Sequence, residues 1–132
     1  TMKKILYLVI FLALSLSACQ ADRPLTKLEV ELSDFAISPD HYIVQSGKQI
    51  SIHLTNSGSI DHDLTLMDYG IDPGDSFNDA DKMNSLLEIN VPSGKTATVT
   101  FQVPDQPGLY QIVCGMPGHL QAGMRATLEV VE

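Results

Sequence analysis

The sequence predicts an all-β domain, an antiparallel sandwich or barrel of about eight short strands. Apolar and polar residues alternate in short runs that are rich in Val, Ile and Thr, and turn residues separate these runs. The 132 residues suffice for one domain, and 9 Gly and 7 Pro spread along the chain argue against a helical bundle. Hydrophobic residues make up 44% and charged residues 18%, which excludes an intrinsically disordered chain.

The strands can be followed by the parity of their apolar residues. Leu28, Val30 and Leu32 share one face of the first strand, and a change of phase at residues 33–34 predicts a β-bulge there. Phe35 and Ile37 then share a face, before a turn at residues 39–40. Further strands are predicted at residues 42–44, 50–54, 60–66, 96–103, 109–114 and 124–131.

Residues 68–84 interrupt this pattern with five aspartates, two glycines and one proline. We expect an insertion between two strands, with a short helix around residues 77–83. The carboxylates do not follow the ligand spacing of an EF-hand, so a solvated acidic loop is favoured over a calcium site.

The beginning of the chain has the layout of a secretory signal peptide. Met2-Lys3-Lys4 is basic, the next ten residues are apolar, and Leu16-Ser17-Ala18-Cys19 follows. The apolar stretch is short for a transmembrane anchor, which is the alternative. The Leu-Ser-Ala-Cys ending resembles the lipobox of bacterial lipoproteins, in which the cysteine is diacylated and becomes the mature N-terminus.

We therefore divide the chain into a signal peptide (2–18), a lipidated Cys19 with a short tether (19–25) and a domain (26–132). Residues 20–25, fully extended, reach roughly 20–25 Å, which would keep the domain close to a membrane surface. Lipidation of Cys19 leaves Cys114 as the remaining cysteine, and a disulfide between the two is the alternative. The protein would be exported and anchored to the outer face of the cytoplasmic membrane or to the outer membrane.

Charge narrows the classes of partner. Acidic residues outnumber Lys plus Arg by 16 to 8, a net charge of −8, and cleavage before Cys19 would remove Lys3 and Lys4 and leave −10. Nucleic acid is excluded as a partner, because binding to phosphates needs a basic face.

Three metal-binding side chains lie close together near the end of the chain. Cys114, His119 and Met124 offer a thiolate, an imidazole and a thioether within eleven residues, on a loop between two strands. Soft sulfur and nitrogen donors suit copper, and two His, one Cys and a weak axial Met define a blue copper site. Taken singly, a buried Cys or Met is more often a core residue. Their order, spacing and common facing favour a metal site.

One more histidine is needed for such a site, and strand parity selects it. His62 shares its face with Leu64 and Leu66, whereas His53 lies between two inward residues and points outward. His41 and His53 are expected to be surface residues. Parity also places Cys114 and Met124 on the inner faces of their strands, so the ligands converge at one end of the core.

This pattern resembles the blue copper proteins, the plastocyanin- and azurin-like cupredoxins. Their first His ligand follows an Asn-containing turn, as His62 follows Asn56-Ser57-Gly58, and their Cys, His and Met lie before the last strand. The spacing C-x4-H-x4-M is closest to that of auracyanins and rusticyanins. The resemblance covers nearly all of residues 26–132. It implies a Greek-key sandwich that binds one type 1 copper ion through His62, Cys114, His119 and Met124.

Two neighbours of the ligands depart from the family pattern. Many relatives have Asn after the first His, where this chain has Asp63, and Ser or Thr after the Cys, where it has Gly115. In the family these neighbours tie the two ligand segments together. The departures therefore bear on the reduction potential and the rigidity of the site.

The resemblance implies a one-electron carrier rather than an enzyme. Docking is expected through the edge of His119 and the apolar residues Met116, Pro117 and Leu120, in a small and transient interface. The negative charge would steer a basic redox partner such as a cytochrome, and a membrane oxidase is another candidate acceptor. We expect a monomer.

Three alternatives remain open at this point. A copper oxidase or nitrite reductase would need further His-rich centres, and the chain has no H-x-H motif and no second cluster. A copper carrier or store is a stronger rival, since metal transfer also uses Met, His and Cys. Zinc could occupy the same ligands where copper is scarce.

Overall fold

The computed structural model describes residues 23–132, and these form two β-sheets packed face to face. One sheet has four strands in the order β2-β1-β4-β7, and the other has five in the order β3-β9-β8-β5-β6. The elements are β1 Lys27–Ser33, β2 Ala36–Ser38, β3 His41–Gln45, β4 Gln49–Asn56, β5 His62–Met67, α1 Asp79–Met83, β6 Ser85–Val91, β7 Thr96–Gln102, β8 Gly108–Val113 and β9 Arg125–Val131. The predicted sandwich is confirmed, with nine strands in this part of the chain.

The core lies between the sheets and follows the predicted alternation. In β1 every second residue is buried, and in β9 the buried residues alternate with half-buried ones. The inward residues of both sheets form one cluster that ends at Cys114 and Met124. Because side chains in a strand alternate between faces, this parity brings Cys114 to the inner side of its sheet.

Two of the strand pairings are parallel, in an architecture that was predicted to be antiparallel. β1 pairs with β4, and β3 pairs with β9, in parallel ladders, while the other ladders are antiparallel. Period-2 alternation reports which face of a strand is buried, but it carries no information about the direction of the neighbouring strand. Strand β6 was also not singled out in the sequence.

The predicted bulge at residues 33–34 is wrong. Asp34 and Phe35 form the turn of a hairpin between β1 and β2, in which Ser33 pairs with Ala36 and Leu32 with Ile37. A hairpin turn and a bulge both shift the parity of the apolar residues, so the sequence pattern did not separate them. Phe35 consequently does not share the inner face with Ile37 but is 43% exposed.

The insertion at residues 68–84 lies over the outer face of the five-stranded sheet. Two half-buried apolar residues of the insertion, Ile71 and Phe77, pack against a cluster formed by Met67, Val113 and Leu120. The predicted helix is present as α1, and Asn78 caps its N-terminus in a capping box. The insertion therefore covers the outer face at Met67, the last residue of β5, a strand that is buried along its whole length.

Several predictions about the beginning of the chain lie outside the described residues. These are the signal peptide (2–18), the lipidated Cys19 and the first part of the tether. Within residues 23–132, no helix combines the length and the apolar character needed to cross a bilayer.

Candidate metal centre

Three of the predicted ligands meet at one end of the sandwich. His62 is the first residue of β5, Cys114 directly follows β8, and His119 lies in the loop that leads to β9. The loop is closed by backbone hydrogen bonds: the Cys114 N–H donates to the Met124 carbonyl (3.1 Å), and the Met124 N–H donates to the His119 carbonyl (3.1 Å). The backbone thus holds residues 114–124 as a compact unit at the end of the core.

The donor atoms of the three side chains converge. The Cys114 Sγ lies 3.3 Å from His119 Nδ1 and 4.0 Å from His62 Nδ1, and the two Nδ1 atoms are 3.1 Å apart. All three residues are buried, and their donor atoms lie within 4.8 Å of one another. This is the one such group found among the residues that the structure describes.

The arrangement fits a bound metal ion. Bonds of about 2.0–2.3 Å from a metal to nitrogen and sulfur place neighbouring donors roughly 3–4 Å apart, and all three observed distances fall in that range. The two facing Nδ1 atoms would repel each other unless a proton or a cation lay between them. One thiolate and two imidazoles form a soft, nitrogen-containing set that suits copper.

The second nitrogen of His62 is held by a side chain that the sequence analysis did not identify. His62 Nε2 lies 2.8 Å from Asp34 Oδ1, and the other oxygen of this carboxylate accepts hydrogen bonds from the Ser59 hydroxyl and the Ser59 N–H. These donors, with the contribution of His62, lower the pKa of Asp34 to about 2. The imidazole proton is therefore placed on Nε2, which leaves Nδ1 free to bind a metal.

Asp63 ties the two ligand segments together, although it replaces the Asn of many relatives. It is only 5% exposed, and its Oδ1 accepts hydrogen bonds from the Gly115 N–H (2.8 Å) and the Thr65 hydroxyl (2.9 Å). Burial raises the pKa of the Asp63 carboxyl, and these two hydrogen bonds oppose the rise. The carboxylate thus joins the β5 segment to the residue after Cys114, as an amide oxygen could.

Gly115 has a steric reason for lacking a side chain. A Cβ atom at this position would lie 2.9 Å from the ring of Phe77, which belongs to the insertion. Real Cβ atoms essentially never come this close to another atom, so a Ser or Thr would need the ring to move. The insertion thus occupies the space that the side chain of residue 115 would take.

The environment of Cys114 favours a thiol in the absence of a metal. Burial raises the pKa of this thiol, and hydrogen bonds from the backbone N–H groups of Asp63 and Met116 oppose the rise. A bound cation would displace the proton, because metals bind the thiolate.

His119 is the one residue of the three that reaches the surface of the described part of the chain. It is 8% exposed, and burial, followed by the neighbouring His62, lowers its pKa. The Phe35 ring meets the His119 ring edge-on, with 5.0 Å between the ring centroids. An aromatic residue next to the phase change at residues 33–34 is the only sequence signal that could have pointed to Phe35.

The docking residues predicted around His119 divide into two groups. Pro117 is exposed and Met116 is half-buried, so both can contribute to a surface. Leu120 is only 4% exposed and packs with Met67 and Val113, so it offers little of the surface on which its predicted docking role depends. Its turn of the loop faces the small cluster under the insertion, and Phe35 supplies exposed apolar surface beside His119.

The remaining candidates are placed as follows. Met124 is fully buried in the main core cluster, next to the other ligands along the loop backbone, and ligation through its sulfur remains a prediction. His41 pairs with Glu129 (3.0 Å), and Nδ1 of His53 lies 2.7 Å from the Thr98 hydroxyl. Neither histidine belongs to the converging group; His41 is exposed, as predicted, whereas His53 is half-buried.

Comparison with known proteins agrees with this fold. Over 38 residues, 29% of this chain, the sequence is 47% identical to auracyanin-B from Chloroflexus aurantiacus, and the aligned segment spans 16% of that protein. The structure of reduced auracyanin from Roseiflexus castenholzii matches with a TM-score of 0.71 and 23% identity, covering 83% of this chain and 100% of the other. Auracyanin A from Chloroflexus aurantiacus, a "blue" copper protein, matches with a TM-score of 0.63 and 23% identity, at the same coverages.

The family itself is defined over almost the whole chain. The sequence profile of the cupredoxin-like domain matches residues 4–128. Together with the two-sheet fold and the converging Cys and His side chains, this match means that the chain belongs to the family of cupredoxin-like domains.

Proposed function

We propose that this protein is a blue copper protein that carries single electrons between redox partners outside the cytoplasm. The observation that carries the proposal is the convergence of His62 Nδ1, His119 Nδ1 and Cys114 Sγ within 4.8 Å, all buried, at one end of a packed sandwich. Copper bound there would alternate between Cu(II) and Cu(I), taking one electron from a reduced donor and giving it to an oxidised acceptor. Met124 would complete the set as a weak axial ligand.

The chain contributes rigidity to this function. Asp34 fixes one imidazole, Asp63 joins the two ligand segments, and backbone hydrogen bonds close the loop. The two oxidation states of copper prefer different geometries, so a ligand set that cannot rearrange keeps the cost of each electron transfer small. Such rigidity suits repeated redox cycling better than metal delivery, which is the function of the rival copper carrier or store.

One experiment separates electron carrier from copper carrier. After loading with one equivalent of Cu(II), an electron carrier shows intense visible absorption and a reversible one-electron wave in voltammetry. A copper carrier holds colourless Cu(I) and passes it rapidly to a Cu(I) chelator. The variant His53→Ala, which removes a histidine outside the site, is the control and should behave as the parent does. A colourless protein with rapid copper exchange would overturn the proposal in favour of the rival.

The partner is proposed to dock at the His119 side. The docking surface would consist of His119 with its neighbours Phe35, Met116 and Pro117. The chain carries a net charge of −8, so a basic protein such as a cytochrome would be steered toward it at low salt. The rate of electron transfer to a basic cytochrome should therefore fall steeply as ionic strength rises. A rate that does not depend on salt would remove the charge argument.

Membrane attachment through Cys19 is a separate proposal. It rests on the basic start, the apolar stretch and the Leu-Ser-Ala-Cys ending of residues 2–19. Cys19→Ala should abolish incorporation of a labelled fatty acid and leave the precursor uncleaved, whereas Ser17→Ala should leave both unchanged. Acyl labelling decides the question, because an uncleaved signal could itself retain the protein at the membrane.

A further inference from the structure

The carboxylate of Asp34 contacts the outer nitrogen of the His62 imidazole, the one that faces away from Cys114 and His119. His62 presents Nδ1 to Cys114 and His119, and its other nitrogen, Nε2, lies 2.8 Å from Asp34 Oδ1. The His62 side chain is fully buried, and the Asp34 side chain is 29% exposed. The hydrogen bond is therefore buried at its His62 end, which makes its electrostatic effect stronger than that of a fully exposed pair.

This carboxylate cannot easily turn away from the imidazole. Its second oxygen is held by two donors of one residue, the hydroxyl and the N–H of Ser59. The turn that precedes His62 also closes over the pair. A Cβ atom at Gly58 would lie 2.3 Å from Asp34 Oδ1 and 2.9 Å from His62 Nε2, so the backbone passes too close for any side chain.

The same turn is anchored independently. The Asn56 amide donates to the carbonyl oxygens of Val91 (2.8 Å) and Ile60 (2.9 Å), and its side-chain oxygen accepts from the Gly58 N–H (2.9 Å). Three elements thus fix the relative positions of Asp34 and His62: the β1–β2 turn, the turn at residues 56–58 and strand β6.

We infer that Asp34 is a positioning residue that lowers the reduction potential of the copper site. Its carboxylate accepts a hydrogen bond from His62 Nε2–H and thereby places negative charge next to this ligand. A carboxylate on the outer nitrogen of a ligating histidine fixes its tautomer and raises its basicity as a ligand. The more basic imidazole stabilises Cu(II) more than Cu(I), because Cu(II) carries the higher charge. This inference rests on the proposed function, since it concerns the redox couple of that same site.

Asp34→Asn tests the inference, because the amide keeps the shape of the side chain and removes its charge. Loss of an outer partner of a ligating histidine typically weakens metal binding 10–100-fold. We expect Cu(II) affinity to fall about tenfold and Cu(I) affinity to change little. That ratio corresponds to a rise of about 59 mV in the potential of a one-electron couple. The visible band should persist, because Cys114 is unchanged.

Two further variants separate an effect of the Asp34 charge from a general loosening of the site. Ser59→Ala removes the hydroxyl donor from the far oxygen of Asp34, which makes the carboxylate a stronger acceptor, so the potential should fall. General loosening of the site would instead shift the potential in the same direction in both variants. Glu31→Gln is the matched control: its carboxylate accepts from the Ser57 hydroxyl (2.6 Å) in the neighbouring turn, and it also loses one negative charge. Its potential should stay close to that of the parent.

The outcomes distinguish this inference from the function on which it rests. A parent protein without an intense visible band or reversible couple overturns the proposed function. A blue parent in which Asp34→Asn leaves the potential unchanged, or shifts it no more than Glu31→Gln does, overturns the role of Asp34 alone. Opposite shifts in Asp34→Asn and Ser59→Ala support it, and the Ser59 variant decides the question if the Asn variant does not fold.

Discussion

The two histidines of the site use the same atom toward Cys114 but lie in different surroundings. His62 is fully enclosed, and its outer nitrogen is bound to a carboxylate. His119 is 8% exposed, and its outer nitrogen makes no hydrogen bond to any residue of the described part of the chain. The Phe35 ring packs against the His119 ring in a T-shaped arrangement.

This contrast suggests how one small site can be both rigid and accessible. The enclosed side, built from β5 and the turns around it, fixes where the donor atoms lie. On the other side His119 is slightly exposed, so under the proposed function a partner would approach the metal there. Substitutions on the enclosed side should therefore change the properties of the metal, and substitutions on the open side should change access to it.

The largest effect on the copper spectrum is expected for Cys114, whose sulfur lies next to both histidines. Cys114→Ser should abolish the intense visible absorption, because that band requires charge transfer from a thiolate to Cu(II). Metal analysis of the same sample shows whether copper is still bound. A variant that retains both copper and the band would contradict the assignment of Cys114 as a ligand.

The two histidines can be compared directly by truncation. His119→Gly should lose the band and recover it when imidazole is added, because the opening reaches the surface. His62→Gly should recover much less at the same imidazole concentration, since the space that its ring leaves is fully enclosed. His41→Gly, outside the site, serves as the control. Equal rescue of both ligand variants would remove the distinction between an open and an enclosed side.

A smaller effect is expected at Met124, where the predicted bond is weak. A thioether favours Cu(I), so Met124→Gln should lower the reduction potential and Met124→Leu should raise it, with copper retained in both. If Met124 were only a core residue, Leu would be nearly silent, because exchanges between Leu and Met usually cost under about 1.5 kcal/mol. Voltammetry of the three proteins in one buffer gives the order, and three equal potentials would exclude ligation.

The smallest changes are expected from two phenylalanines near the site, one half-buried in the insertion and one exposed beside His119. Phe77→Ala should lower the free energy of unfolding by about 2 kcal/mol, because the ring packs on the cluster beneath the insertion. Phe35→Ala should cost about 1 kcal/mol or less but slow electron transfer to a protein partner. Chemical denaturation and stopped-flow kinetics measure the two effects. The contrast fails if Phe77→Ala slows electron transfer as much as Phe35→Ala does.

The sequence was informative wherever local periodicity decides the outcome. Parity alone placed Cys114 on the inner face and selected His62 over His53, and the structure brings His62, Cys114 and His119 together. The short helix in the insertion was likewise predictable, since Asn78 and Asp81 form a capping box within four residues.

What could not be predicted depends on contacts between distant segments. Asp34 is 28 residues from His62 in the chain, and no local pattern links an aspartate in a turn to a histidine at the start of a strand. Phe77 and Gly115 meet only because the insertion folds back over the sheet. The direction of pairing between β1 and β4 is likewise set by the path of the chain, to which alternation is blind.

The contact between Phe77 and Gly115 has a consequence for how this protein can evolve. A side chain at residue 115 and an aromatic ring at residue 77 compete for one space, so neither position can change freely while the other is retained. Among homologues we expect the two positions to covary. Chains that keep the insertion and its aromatic residue should have glycine after the cysteine, and chains without the insertion should be free to have serine or threonine there. The sequence next to a metal ligand would then record the presence of a loop more than thirty residues away.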